Sequence, residues 1–207
     1  SCNACVEDHA WRAAMLRFKE GSAPEIFASG LRNTVGFDWQ PAAGALYGVD
    51  NGRDSLGDNV PDDEANRIEQ GKHYGWPFVH GSGVEDPDVF ADMPKGLAVT
   101  HQAFGLGGHV APLSILFLRH QADAAFNGSA LVGEHGSWNR SVKSGYRIMR
   151  LIFDGDSISE QPFLTGCEMK GEVICRPVGI LEAADGSLFV SDDYAGAVYR
   201  ISKSAAN

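Results

Sequence analysis

One stretch of this chain recurs three times, and the repeat limits the possible folds more than any other feature. Arg32-Asn33-Thr34-Val35-Gly36-Phe37 leads to Gly44-Ala45-Leu46-Tyr47-Gly48-Val49-Asp50. Arg176-Pro177-Val178-Gly179-Ile180 leads to Gly186-Ser187-Leu188-Phe189-Val190-Ser191-Asp192. A weaker copy runs from Ala111-Pro112-Leu113-Ser114 to Gly128-Ser129-Ala130-Leu131-Val132-Gly133-Glu134. In each copy a strand precedes a turn, and a second strand, begun after Gly, ends in an acid. Tyr146 to Leu151 and Ala197 to Ile201 match each other as the strand after that, and Met15 to Phe18 resembles both. Units of about four short strands suggest β-propeller blades of ~40–50 residues. At that size the 207 residues make about four blades, where closed propellers have roughly four to eight. The expected fold is therefore all-β and a β-propeller, with a sandwich or solenoid as the alternative.

The rest of the pattern agrees. Ala13 to Phe18, Glu25 to Ala28, Val35 to Trp39 and Ala45 to Val49 are short alternating or compact apolar runs between turn signals. Only Asp62 to Gln70 could be a short helix, and Asn66-Arg67-Ile68 reads equally well as a strand start. Gly 25 and Pro 9 favour turns over long helices. Apolar residues at 43 % against 21 % charged mark a globular chain rather than a disordered one. The net charge of -10 repels phosphate backbones and argues against nucleic acid as a partner. No apolar run approaches the ~20 residues that span a bilayer. The chain starts at Ser1 with no secretory apolar segment after it, so we expect a removed leader or a longer parent chain.

Four cysteines leave several options. Cys2 and Cys5 form C-x-x-C, but Val6 stands where covalent haem needs His. Cys167 and Cys175 are too loosely spaced for a four-cysteine zinc site. A thioredoxin-like role needs a βαβ context that is missing. One or two local disulfides in an oxidising compartment is the plain reading, which suggests a periplasmic or secreted protein. Three pairings are open.

Three segments carry a family resemblance. Gly30-Leu31-Arg32-Asn33-Thr34-Val35-Gly36 resembles the G-x-R-N-P-x-G segment of the glucose/sorbosone dehydrogenases, with Thr34 where Pro is usual. Asp62 to Ile68 followed by Gly71-Lys72-His73-Tyr74-Gly75-Trp76-Pro77 resembles that family's D-E-x-N block with Y-G-W-P. Gly133-Glu134-His135-Gly136-Ser137-Trp138-Asn139-Arg140 resembles the H-G-S-W-N-R segment of its sorbosone branch. The resemblance implies a six-bladed propeller that uses pyrroloquinoline quinone (PQQ). It also implies that residues 1–207 are the C-terminal part of a single propeller domain whose N-terminal blades lie outside this chain. The proton-accepting histidine of the family lies in that outside part, so no catalytic residue is expected here. His135 would be a tempting general base, but its place in the motif does not support that role.

The same resemblance nominates a site. PQQ carries carboxylates and an ortho-quinone, so it calls for planar cations and a Lewis acid. Arg32, Asn33, His109, Asn139, Arg140 and Arg176 match cofactor-contacting positions. At position 139 the family has a basic residue where this chain has Asn. The plain alternatives are a strand-capping Arg32, a surface ion pair of Arg176 with Asp192 or Asp193, a packing loop around Trp138, and a structural His109. Calcium takes carbonyl and carboxylate oxygens. Gly52, Arg53, Glu64 and Tyr74 match its ligands, beside an acidic run of Asp54, Asp58, Asp62 and Asp63 that lacks the EF-hand pattern. A solvated acidic loop is the plain alternative.

The expected function is PQQ-dependent oxidation of an aldose or related sugar aldehyde, with an external electron acceptor. The competing expectations are a calcium-stabilised propeller that binds without redox chemistry, and a calcium-dependent lactonase, for which only Glu64, with Glu134 as a second candidate, would qualify as an axial carboxylate. Open propeller edges invite association with another chain.

Overall fold

The computed structural model describes residues 2–202. Its strands are short, as the turn-rich sequence requires. They are β1 (Ala14–Arg17), β2 (Glu25–Ser29), β3 (Thr34–Trp39), β4 (Leu46–Asp50), β5 (Asp62–Ile68), β6 (Val79–His80), β7 (Val84–Glu85), β8 (Phe104–Gly108), β9 (Pro112–Phe117), β10 (Ala130–Glu134), β11 (Arg147–Asp154), β12 (Ser157–Leu164), β13 (Glu168–Met169), β14 (Glu172–Val173), β15 (Pro177–Glu182), β16 (Leu188–Asp192) and β17 (Ala197–Ile201). The described residues contain no α-helix, only a 3₁₀ turn at Phe90–Asp92. Among the described residues no helix is long and apolar enough to cross a membrane.

The sheets are blades. One holds β3-β4-β5-β8 and the next β9-β10-β11-β12, both antiparallel throughout. A three-stranded sheet β15-β16-β17 follows, and the β1-β2 pair precedes them. The repeat read in the sequence is thus the first two strands of each blade. β3 packs on β9 and β9 on β15, so the first strands of the three blades stand side by side. Gly36 makes that approach possible: a Cβ there would lie 2.7 Å from Ser114 Cα and 2.9 Å from Leu113 O. The sheets are open, and together they form part of a β-propeller.

The Asp62–Gln70 ambiguity resolves as strand. β5 is hydrogen-bonded on both edges, to β4 and β8, and Asp63, Glu64 and Asn66 are buried within it. A central position in a blade overrides the weak local preference of a polar run.

Apolar faces meet between blades. Tyr47, Val49, Ala65 and Leu106 of one blade pack against Ile115, Phe117, Ala130, Val132 and Leu151 of the next. The rings of Tyr47, Phe117 and Phe153 meet with centroids 5.1 to 5.7 Å apart. Leu118, Leu131 and Ile148 pack in turn on Leu188 and Val190. Toward the two ends the cover is thinner: the β1-β2 pair packs on Leu46 and Ile68 through Met15, Phe27 and Ala28, but Val35, Phe37 and Trp39 of β3 stay exposed, as do Leu181 of β15 and Val198 of β17. Of the three open pairings, the cysteines adopt the one made of two local disulfides, Cys2–Cys5 and Cys167–Cys175.

Candidate functional site

Each blade carries its acid at the end of its second strand, and two of these acids hold the chain entering the first strand. Asp50 accepts the backbone N–H groups of Arg32, at 2.8 Å, and Asn33. Asp192 accepts that of Arg176 at 3.1 Å. The third copy differs. Ala111 N–H is held at 2.7 Å by Asp63, which also accepts Gly52 N–H at 2.7 Å. Asp63 therefore ties the end of one blade to the start of the next. Burial pushes its carboxyl up to about 6 against these two donors.

A cavity of about 240 Å³ opens where these connections converge. Arg32, Asn33, Gly52, His109 and Asn139 all line it, together with Asn51, Asp54, Asp63, Ala111 and Trp138. The Arg32 guanidinium is nearly buried. Its Nη1 donates to the carbonyls of Asn51, at 3.1 Å, and Gly52, at 2.7 Å, while Nη2 lies 3.6 Å from the Asp54 carboxylate. Asn139 Nδ2 donates to Asp54 at 2.7 Å. Arg32 Nε and Asn139 Oδ1 are buried with no hydrogen-bond partner among the described residues. His109 adopts a left-handed backbone with φ 59°, and its Nε2 contacts Gly57 O at 2.9 Å. Such a conformation costs a non-glycine residue of order 1–3 kcal/mol, so the surrounding contacts impose it. Trp138 is 77 % exposed at the mouth.

The other nominated residues lie outside this lining. Arg140 braces it from behind: its Nη1 donates to Gly108 O at 2.9 Å and to Asp58 O, and its Nη2 to Asn59 Oδ1 at 3.1 Å. Arg176 makes no side-chain pair with Asp192 or Asp193. It donates to the carbonyls of His135, at 3.1 Å, and Gly136, at 2.8 Å, above the Tyr146 ring. His135 Nε2 contacts Asp193 at 2.8 Å.

Each of the four calcium-type residues makes its own contacts. Gly52 is in the cavity wall. The Arg53 side chain turns away to the buried Asp86, at 2.6 Å, which also contacts His80 at 2.8 Å. Glu64 accepts Gly81 N–H at 2.7 Å and Asn66 Nδ2 at 2.9 Å, and burial pushes its carboxyl up. The Tyr74 hydroxyl donates to Arg67 O and accepts Glu69 N–H at 2.9 Å. Among the described residues, the closely grouped ligand-type side chains are Cys2, Cys5 and Glu7, and those sulfurs are already a disulfide.

Sequence reasoning missed Asn51, Asp63 and Asn3. Asn51 Nδ2 donates to Pro112 O at 3.0 Å and joins two blades. Asp63 was visible only as one of an acidic run. Nothing local marks Asn3.

The lining suits a polar ligand that both accepts and donates: one guanidinium with an unused N–H and one amide with an unused oxygen stand around one concavity with Asn33, His109 and the carboxylates of Asp54 and Asp63. A partial propeller with a polar pocket where successive blades join is the class of protein that fold and site define. The glucose/sorbosone dehydrogenase profile matches residues 15–200, and the chain belongs to that family. It is 38 % identical over 183 residues to an uncharacterized protein of Borreliella burgdorferi, covering 86 % of this chain and 48 % of that protein. It is 38 % identical over 180 residues to an uncharacterized protein of Synechocystis, covering 83 % of this chain and 37 % of that one. The chain thus spans about half the length, or less, of these curated relatives. Among solved structures it resembles a calcium structure of a Trichoderma reesei family AA12 carbohydrate-active enzyme, with a TM-score of 0.70 at 23 % identity over 86 % of this chain and 54 % of that one. It also resembles the holo PQQ domain of a Coprinopsis cinerea pyranose dehydrogenase, with a TM-score of 0.64 at 23 % identity over 86 % and 55 %. The apo soluble aldose sugar dehydrogenase of Escherichia coli aligns with a TM-score of 0.59 at 21 % identity over 82 % and 44 %.

Proposed function

We propose that this chain is the C-terminal part of a PQQ-dependent dehydrogenase that oxidises an aldose or related sugar aldehyde. The observation that carries the reading is the unpartnered, buried Nε of Arg32, set in one cavity with Asn33, His109 and Asn139. When bound, the quinone would supply the two-electron acceptor that no side chain offers. Arg32 would donate in-plane to a carboxylate or quinone oxygen while staying charged. Asn33 and Asn139 would orient the ligand through hydrogen bonds of their side-chain amides, Asn139 accepting at its free Oδ1. Arg140 and Arg176 would act from further out, by holding the loop carbonyls that shape the wall. Trp138 would cover one side of the cavity and limit water.

Calcium belongs to the same reading, with Gly52, Arg53, Glu64 and Tyr74 as its ligand set. Gly52, whose carbonyl accepts from Arg32, is the member at the cavity. The base that takes the substrate proton would come from outside this chain, and electrons would leave to an external acceptor. The two disulfides support a periplasmic or secreted location. The exposed apolar side chains of β3, β15 and β17 support association with further blades or another chain.

The test is a titration with PQQ, with and without calcium, followed by tryptophan fluorescence, with Trp76 and Trp138 as the expected reporters. Saturable quenching that strengthens with calcium supports the reading. Calcium binding without any quinone effect would instead favour a calcium-stabilised binding module, and lactone hydrolysis would favour the lactonase.

A further inference from the structure

The Cys2–Cys5 disulfide closes a loop with two residues between its cysteines, and one of them reaches far along the sequence. Asn3 Nδ2 donates to Asp54 O at 3.0 Å, and Asn3 Oδ1 accepts Asp54 N–H at 2.7 Å. One side chain thus satisfies both backbone groups of one residue, as a neighbouring strand would. The same Oδ1 lies 3.5 Å from Arg32 Nη2. Asp54 in turn uses its carboxylate to join Asn139, at 2.7 Å, and Arg32, at 3.6 Å. These are the two cavity residues whose Nε and Oδ1 are buried without partners. The chain of contacts runs from disulfide to Asn3, to the Asp54 backbone, to its carboxylate, and to the two groups left for a ligand.

We propose that Asn3 is a positioning residue: held by the Cys2–Cys5 loop, it fixes Asp54, and through Asp54 sets the spacing of the Arg32 Nε donor and the Asn139 Oδ1 acceptor for a ligand that accepts from the first and donates to the second. The ligand side of this proposal rests on reading the cavity as the PQQ pocket. The loop end makes the pocket thiol-sensitive. A dithiol reductant would pass two electrons and two protons to the Cys2–Cys5 bond, giving two thiols and its own disulfide, and Asn3 would lose its clamp.

The test combines amide hydrogen exchange at Asp54 with PQQ titration. We expect Asn3→Ala to speed exchange at Asp54 and to weaken PQQ binding, each by about fivefold or more, the scale of one lost hydrogen bond. Amides of β10 should not change. Asn3→Asp keeps the acceptor for Asp54 N–H and should restore protection there. Dithiothreitol should reproduce the Asn3→Ala behaviour in the parent protein and add little in Asn3→Ala, because both act on one contact. Unchanged Asp54 exchange in Asn3→Ala overturns the proposal, as does a thiol effect of equal size in both proteins. If the parent protein binds no PQQ, the cofactor reading falls, and the exchange data alone decide whether Asn3 holds Asp54.

Discussion

Asp50 and Asp192 stand at the same place in two blades, yet their surroundings drive them in opposite directions. Burial, and then the Glu64 carboxylate across the strand pair, push Asp50 up to about 8 against the N–H groups of Asn33 and Arg32. Burial acts on Asp192 too, but the N–H groups of Ala195, Arg176 and Tyr194 and the Tyr199 hydroxyl outweigh it and hold that acid below its usual range. The repeat fixes the position of the acid. The neighbouring strand and turn decide its charge.

Arg32→Ala should weaken PQQ binding by about 10- to 100-fold, the scale of a charge-assisted hydrogen bond of roughly 1.5–3 kcal/mol. Arg32→Lys should recover only part of this, since a point charge cannot make planar paired bonds. Fluorescence titration measures both. Equal affinity in all three proteins would remove Arg32 from the site.

Glu134 is fully buried, with Oε2 bonded to Arg147 Nε at 2.7 Å and Oε1 without a partner among the described residues. Burial pushes it up to about 7. The folded chain then holds a proton that the unfolded chain, near 4.3, has released. Its contribution to stability should fall as pH rises from about 4 to about 7 and level off above. Glu134→Gln should flatten that part of the curve in thermal melts. Parallel curves for the two proteins would refute the assignment.

Phe117 is fully buried between two blades. Phe117→Ala should cost about 3–5 kcal/mol, through lost burial and the cavity left behind. Denaturant unfolding would show it as a lower midpoint with little change in slope. A loss under 1 kcal/mol would mean that the blades do not depend on this contact.

The exposed faces of β3 and β17 should make the isolated chain associate. Light scattering should give a mass above 22.2 kDa, and Trp39→Glu with Val198→Glu should lower it. A stable monomer in the parent protein would contradict the expectation.

Much of the architecture was legible because it rests on local signals. Strand runs, glycine turns and strand-end acids survive in the sequence whatever packs on them, and so the blades and the Arg32–Asn33 segment could be placed. β5 was ambiguous because its buried face is polar: Asp63, Glu64 and Asn66 show no apolar alternation, and only the strands on either side settle the conformation. Asn3 was invisible because its partner, Asp54, lies 51 positions away. Arg176 was placed by repeat position and family resemblance, which give its backbone contact with Asp192 but not the direction of its guanidinium.

The trio of Tyr47, Phe117 and Phe153 has a consequence for how such a chain can change over generations. One ring comes from one blade and two from the next, and neither set fills the gap alone. A gene duplication that added or removed a single blade would bring together two faces never fitted to each other. Inherited rearrangements should therefore conserve the pair as a unit, with breakpoints inside a blade rather than between these two.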